Sequence, residues 1–221
     1  MTGTIALVGG HEWGERCSFD ADLLAASGAT DVLVLPTAAA YEHPERAVER
    51  ASRWFAGLGG QVRGLGVLAR RDAMDEANAA VVAEARFVYL AGGSPLHLRS
   101  VLKETPVWEA VVGVWTAGGV VAGSSAGAMA MADPMVDPRG GAFTVGLGLL
   151  ENVAVLAHAA PDWAETHRRT LDLLNDGVAL VAIPEETALI RTPDGSWREG
   201  GAGSVAVWRD GGPAGLDALP G

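Results

Sequence analysis

Residues 120–134, VVAGSSAGAMAMADP, run from an apolar stretch through Gly123-Ser124-Ser125-Ala126-Gly127 into an Ala/Met-rich segment. The spacing fits a Gly-x-Ser-x-Gly turn, in which a serine sits between a strand and a helix and small neighbours let the chain pass closely. A serine held this way is a candidate nucleophile, and the backbone N–H of the next residue, Ala126, is placed to serve an oxyanion. The same composition also suits a tight structural corner, so the pattern needs partners before it means chemistry.

A nucleophilic serine needs a base within hydrogen-bond reach, and the base usually needs an orienting carboxylate. His43, His97 and His167 lie in or beside helix candidates in polar company and read as surface residues. His11, in VGGHEWGE, follows the first strand candidate and reads as either a functional-edge residue or an ordinary loop residue. His158 ends the apolar run NVAVLA, where its side chain would project from the same edge as Ser125; it is the candidate base. An α/β-hydrolase would place its histidine far downstream, after the acid. No histidine follows His167, which disfavours that architecture.

Short apolar runs alternate with amphipathic segments, as expected of a mostly parallel sheet between two helical layers. The strand candidates are 4–10, 31–36, 61–68, 86–93 and 118–125, and helices are expected over 18–28, 43–60, 72–85 and 105–119. This βαβ series predicts an α/β fold, a three-layer αβα sandwich whose sites lie at the carboxyl ends of the strands. After Ser125 the segment 146–163 reads as a loop and short strand, 162–175 as a helix, and 177–212 as strands joined by tight turns that form a mixed or antiparallel extension of the same sheet. Pro193-Asp194-Gly195 is the clearest hairpin turn. One domain over 1–221 is expected, with a flexible Gly/Pro-rich tail from about 210.

Sixteen Lys and Arg stand against 27 Asp and Glu, for a formal net charge of -11 and a pI near 4.8. Such a surface repels phosphate backbones and anionic membranes, so neither nucleic acid nor membrane is an expected partner. The N-terminus lacks a basic region and its apolar run is short, which together with a single cysteine, Cys17, points to a cytoplasmic protein. No dinucleotide fingerprint, phosphate loop or paired zinc histidines are present, and no metal or cofactor is expected. Helix faces bearing Trp and Val read either as core or as a homodimer interface.

Five separated stretches, in order, resemble the peptidase E and cyanophycinase family of serine peptidases, family S51, whose fold is class-I glutamine amidotransferase-like. They are ALVGG (6–10), YLAGGSPLHLRSVL (89–102), GSSAGAMAM (123–131), GLGLLENVAVLAHAAPDW (146–163) and AIPEETALI (182–190). The resemblance makes Ser125 the nucleophile and His158 the base, with an oxyanion hole from the N–H groups of Gly93 and Ala126. It implies Glu185 as the third member, from the cyanophycinase-like segment, with Asp133 the alternative by analogy with peptidase E. Pro184 replaces the family's aspartate before the glutamate, Ala159 replaces an aromatic, and the expected arginines are displaced, Arg168 and Arg169 being nearest.

The expected activity is therefore a serine exopeptidase acting on short peptides, in the manner of an Asp-X dipeptidase. Carboxypeptidase-type or cyanophycinase-like isopeptidase specificity on the same triad is the alternative. Arg168 or Arg169 would receive a substrate carboxylate, and Glu12, on the first loop, a free α-amine. A catalytically silent amidotransferase-like binding domain is the contrasting reading.

Overall fold

In the computed structural model, which describes residues 2–221, strand candidates and strands coincide closely through the first half of the chain. β1 (Thr4–Val8), α1 (Phe19–Ser27), β2 (Asp31–Leu35), α2 (Pro44–Gly57) and β3 (Gln61–Gly64) are followed by α3 (Arg70–Ala73) and α4 (Glu76–Ala83). Then come β4 (Phe87–Leu90), α5 (Pro95–Leu102), α6 (Pro106–Thr116) and β5 (Val120–Ser124). The single helix expected over 72–85 is broken because Asp75, extended at ψ 117°, caps the Ala77 N–H and starts a new helix.

β1, β2, β4 and β5 are apolar at nearly every position because both of their faces are covered, whereas the edge strand β3 is polar and mostly exposed. Ile5, Leu7, Leu33, Leu35, Val88, Leu90 and Val121 pack in a cluster with α4, α5 and α6. The intervening Ala6, Val8, Val32, Val34, Phe87, Tyr89, Val120 and Ala122 pack instead with Phe19, Leu23, Ala51 and Phe55 of α1 and α2. The two-residue side-chain period thus distributes one continuous run between two cores.

α7 (Ala126–Met131) leaves β5 directly and is buried at every position. A helix apolar all round needs cover on more than one side. β5 and α5 cover one side, and the rest comes from the remainder of the chain: β6 (Ala132–Asp133), β7 (Met135–Val136), β8 (Phe143–Thr144), β9 (Leu150–Glu151) and β10 (Val153–Ala157). These are followed by α8 (Trp163–Thr166), α9 (Arg168–Asp172), β11 (Ala179–Ile183), β12 (Thr187–Arg191), β13 (Trp197–Gly201), β14 (Ala206–Arg209) and β15 (Gly212–Ala214).

The main sheet has the order β13-β12-β1-β5-β4-β2-β3, with β1 to β5 mutually parallel and β12 and β13 added antiparallel. The hairpin between β12 and β13 turns at the expected Pro-Asp-Gly. The expectation that the strands of 177–212 extend this sheet holds for β12 and β13 and is corrected for β11, β14 and β15, which lie in a second sheet, β15-β14-β11-β10-β6-β9, where β10 and β11 pair in parallel. The apolar residues of β10 and β11 join the same core as α7, which accounts for the second layer.

The helix expected over 162–175 is divided at His167, whose φ of -114° interrupts the helical backbone between α8 and α9. The Gly/Pro tail is also more structured than its composition suggests. Gly212–Ala214 pairs with β14, and Trp197 Nε1 donates to the Pro220 carbonyl at 2.8 Å. Among the described residues no helix is long and apolar enough to cross a membrane.

One acid lies within the α1–α2 core. Asp20 is fully buried, accepts from Trp54 Nε1 at 2.9 Å, and is pushed up to about 7 by burial, against the Trp54 hydrogen bond and with a smaller contribution from Glu12. Its folded-state value exceeds the unfolded one, near 4, so the folded protein keeps a proton that the unfolded chain releases across that window. The Asp20 contribution to stability is therefore lost as pH rises from about 4 to about 7. Asp20→Asn, whose amide does not titrate, is expected to lack this decline. In denaturant unfolding at stepped pH, the stability difference between variant and wild type should change across that window and level off above it.

Candidate active site

Ser125 sits between β5 and α7 at φ 49° and ψ -108°, a conformation that non-glycine residues rarely adopt and that here aims the hydroxyl out of the turn. The turn is tight because β5 and α7 nearly touch: a Cβ on Gly123 would stand 2.6 Å from the Gly127 carbonyl carbon. Ser125 Oγ donates to His158 Nε2 at 2.7 Å, and His158 Nδ1 donates to Glu185 Oε1 at 3.0 Å. His158 ends β10 and Glu185 follows β11, so three separate strand ends supply the line.

The terminus of β1 aligns those ends. The Ser125 N–H donates to the Val8 carbonyl at 2.8 Å, the His158 N–H to Gly9 at 2.7 Å and the Glu186 N–H to Gly10 at 2.8 Å. His158 and Glu186 both have positive φ, 55° and 54°, so these bonds hold backbone that would otherwise relax. Gly10 itself is at φ 128°, and any side chain there would overlap the His158 ring.

The hydrogen bond from His158, reinforced by the charges His158 and His11 acquire on protonation, holds the Glu185 carboxyl below the usual carboxylate range, against a smaller opposing effect of burial. Glu185 therefore remains an anionic acceptor at neutral pH and selects the His158 tautomer whose Nε2 is free to take the serine proton. Cys17 offers no competing nucleophile: it is buried, and its thiol is pushed up to about 11, chiefly by burial.

The Gly92-Gly93 turn after β4 faces the elbow, with Gly92 close enough that a Cβ there would lie 3.5 Å from Ser125 Cβ. The turn is fixed by the Ser94 N–H donating to Ala38 O at 2.8 Å. Among the described residues the Gly93 N–H makes no backbone hydrogen bond. The Ala126 N–H heads α7, where no intrahelical acceptor exists. Both are available to an oxyanion.

Other candidates lie elsewhere. Asp133 is engaged away from His158: its Oδ1 accepts from the Gly146 N–H at 3.0 Å. Glu12 is 8% exposed and accepts from Ser124 Oγ at 2.8 Å, with Arg50 at 3.9 Å, so this carboxylate braces the residue beside the nucleophile and is not presented to an amine.

A cavity of about 520 Å³ opens beside His158, walled by Met129, Val136, Leu156, His167, Arg139 and Arg169. Arg169 reaches it and Arg168 does not line it, because adjacent helical positions point apart. Arg139 is a cation that the sequence reading missed. It pairs with Asp137 at 2.6 Å and holds that acid at about 2, mainly through its hydrogen bonds. Only its place in the DPRGG turn (137–141) marks it in sequence, and such turns are common. His11 is the other surprise, with Nδ1 3.6 Å from Glu185 Oε2.

Glu185→Gln is expected to lower kcat on a short peptide by about a thousandfold or more, because the amide no longer fixes the imidazole as a carboxylate does. Asp133→Asn, measured alongside, should leave kcat within about threefold, since an amide oxygen still accepts from Gly146.

Comparison with known proteins places this geometry. The chain is 28% identical over 154 residues to cyanophycinases of Synechococcus elongatus and Thermosynechococcus vestitus, matching 62% of this chain and 46% of each relative. It thus spans less than half the length of those relatives. A peptidase from an acI-B1 Actinobacterium superposes with a TM-score of 0.82 at 30% identity, over 95% of this chain and 91% of that one. A putative peptidase E from Listeria monocytogenes EGD-e superposes with a TM-score of 0.66 at 17% identity, over 95% and 99%, a likeness of fold. The fold is class-I glutamine amidotransferase-like. The profile of peptidase family S51 matches residues 6–196, and the chain belongs to this family of serine-type peptidases.

Proposed function

We propose that the protein is a serine exopeptidase that cleaves short peptides through an acyl-enzyme, with Ser125 as nucleophile, His158 as base and Glu185 as the orienting acid, and that its preferred substrates are Asp-X dipeptides. The observation that carries the reading is the unbroken line from Ser125 Oγ to His158 Nε2 at 2.7 Å and from His158 Nδ1 to Glu185 at 3.0 Å. In this scheme Ser125 Oγ attacks the peptide carbonyl as its proton passes to His158 Nε2. The carbonyl oxygen, now an anion, is received by the Gly93 and Ala126 N–H groups. The C–N bond breaks as His158 returns the proton to the leaving amine, leaving an ester on Ser125. Water, deprotonated by His158, then hydrolyses the ester and restores the serine.

A cavity of about 520 Å³ suits a substrate of a few residues. Arg169 on its wall supports recognition of a carboxylate, and the Asp-X preference follows if that carboxylate is the aspartyl side chain. The adjoining Asp137–Arg139 pair supports a second reading, isopeptidase action on a substrate carrying both charges, as the cyanophycinase relatives suggest by name. Each group would then find a counter-charge in one cavity.

Mass spectrometry of products from a peptide panel with free and blocked ends tests both. Asp-X dipeptides are expected to be cleaved and end-blocked analogues spared, while preferential cleavage of β-linked Asp-Arg favours the second reading. Ser125→Ala should abolish turnover and labelling by a serine-directed phosphonate. Absence of both in the wild-type protein across the panel overturns the enzymatic assignment in favour of a binding domain.

A further inference from the structure

Glu185 is an unusual triad acid in its surroundings: its side chain is 54% exposed, on a loop between β11 and β12. A glutamate in that setting has freedom to rotate its carboxylate and to swing it into solvent. Productive catalysis requires the His158–Glu185 hydrogen bond to persist while charge develops on the imidazole. One oxygen, Oε1, is occupied by His158. The other, Oε2, faces the ring of His11.

His11 is placed there at a cost. Its φ is 51°, in the left-handed region, and its side chain is 66% exposed, so core packing does not explain the conformation. Glu185 is the only acid within 4.0 Å of its ring nitrogens among the described residues. The residue continues the β1 terminus whose Val8, Gly9 and Gly10 carbonyls hold Ser125, His158 and Glu186. The His11 carbonyl is itself approached by Cys17 Sγ at 3.7 Å, and the next residue, Glu12, is anchored on Ser124. The segment is thus pinned on both sides of His11 while its ring points at the triad acid.

Resting on the triad assignment above, we propose that His11 is a positioning residue for catalysis: its Nδ1 holds the outer oxygen of Glu185 and so keeps the inner oxygen on His158. At 3.6 Å the contact is an electrostatic one, longer than a hydrogen bond, between a ring N–H and a carboxylate. Its role is to bias one orientation of the carboxylate without taking part in the proton transfer. His11 makes no hydrogen bond to Ser125, whose hydroxyl is engaged by His158.

Three variants separate this role from a structural one. His11→Gly accepts the left-handed backbone and removes the donor. His11→Asn, a residue also tolerant of that conformation, retains an N–H donor on a short side chain. His11→Gly is expected to lower kcat, and the rate of labelling by a fluorophosphonate, by about tenfold, with KM within about twofold. His11→Asn should restore both rates to within about threefold of wild type. In a Glu185→Ala background, His11→Gly should have no further effect on labelling, because the carboxylate it positions is gone.

Thermal unfolding of each variant checks that the fold is retained. Wild-type rates in folded His11→Gly, a loss not rescued by Asn, or a loss that multiplies with that of Glu185→Ala overturns the inference while leaving the triad intact. A wild-type protein that the probe does not label at Ser125 overturns the triad assignment, and this inference with it.

Discussion

Three consecutive carbonyls, from the last residue of β1 and the two glycines after it, decide which distant segments meet at the candidate site. Val8, Gly9 and Gly10 accept in turn from the backbones of Ser125, His158 and Glu186. Consecutive carbonyls point to different sides of the chain, so each can hold a residue that arrives from a different element. The line from the Ser125 hydroxyl to the Glu185 carboxylate is built on those three anchors. Gly10 belongs to the same device, because the His158 ring occupies the space a side chain would need.

Such a device works only if β1 itself cannot move. Its residues are buried, flanked by parallel β5 on one side and antiparallel β12 on the other, with helices over both faces. β5 leads into the turn that carries Ser125 and β12 descends from the loop that holds Glu185, so the neighbours of β1 are the elements whose ends must meet. The second sheet completes the arrangement by burying α7 and delivering His158 from the end of β10. Core packing and site geometry are here one constraint: the apolar cover of α7 is also what carries His158.

The charge distribution follows the same division. Although the chain is strongly acidic overall, the cavity beside His158 presents Arg169 beside an Arg139 that is paired with Asp137. Buried acids around the first loop are used as braces, with Glu12 on Ser124 and Glu186 paired to Arg16. An acidic surface with a locally basic cavity concentrates small anions at the site more than it attracts large polyanions.

The amino-acid order by itself determined the alternation of strands and helices, the elbow at Ser125 and the strand end at His158. Each of these is a local pattern: an apolar run of two-residue period, a run of small residues, a histidine closing a strand. It misplaced what depends on competition between distant segments. Whether β10 and β11 extend the main sheet or form another was settled by the need to cover α7. Whether Glu185 or Asp133 meets His158 was settled by a loop register in which Gly146 claims the aspartate. Glu12 reads as a free loop acid, yet its partner Ser124 lies more than a hundred residues away. Arg139 carries no local signal, and His11, although it follows the first strand, reads equally as an ordinary loop residue. Their meaning arises when the β1 terminus brings His11 onto a carboxylate from residue 185, and when α9 and the 137–141 turn close one cavity. Sequence patterns record what neighbours in the chain impose; the partners of a charge are chosen by packing.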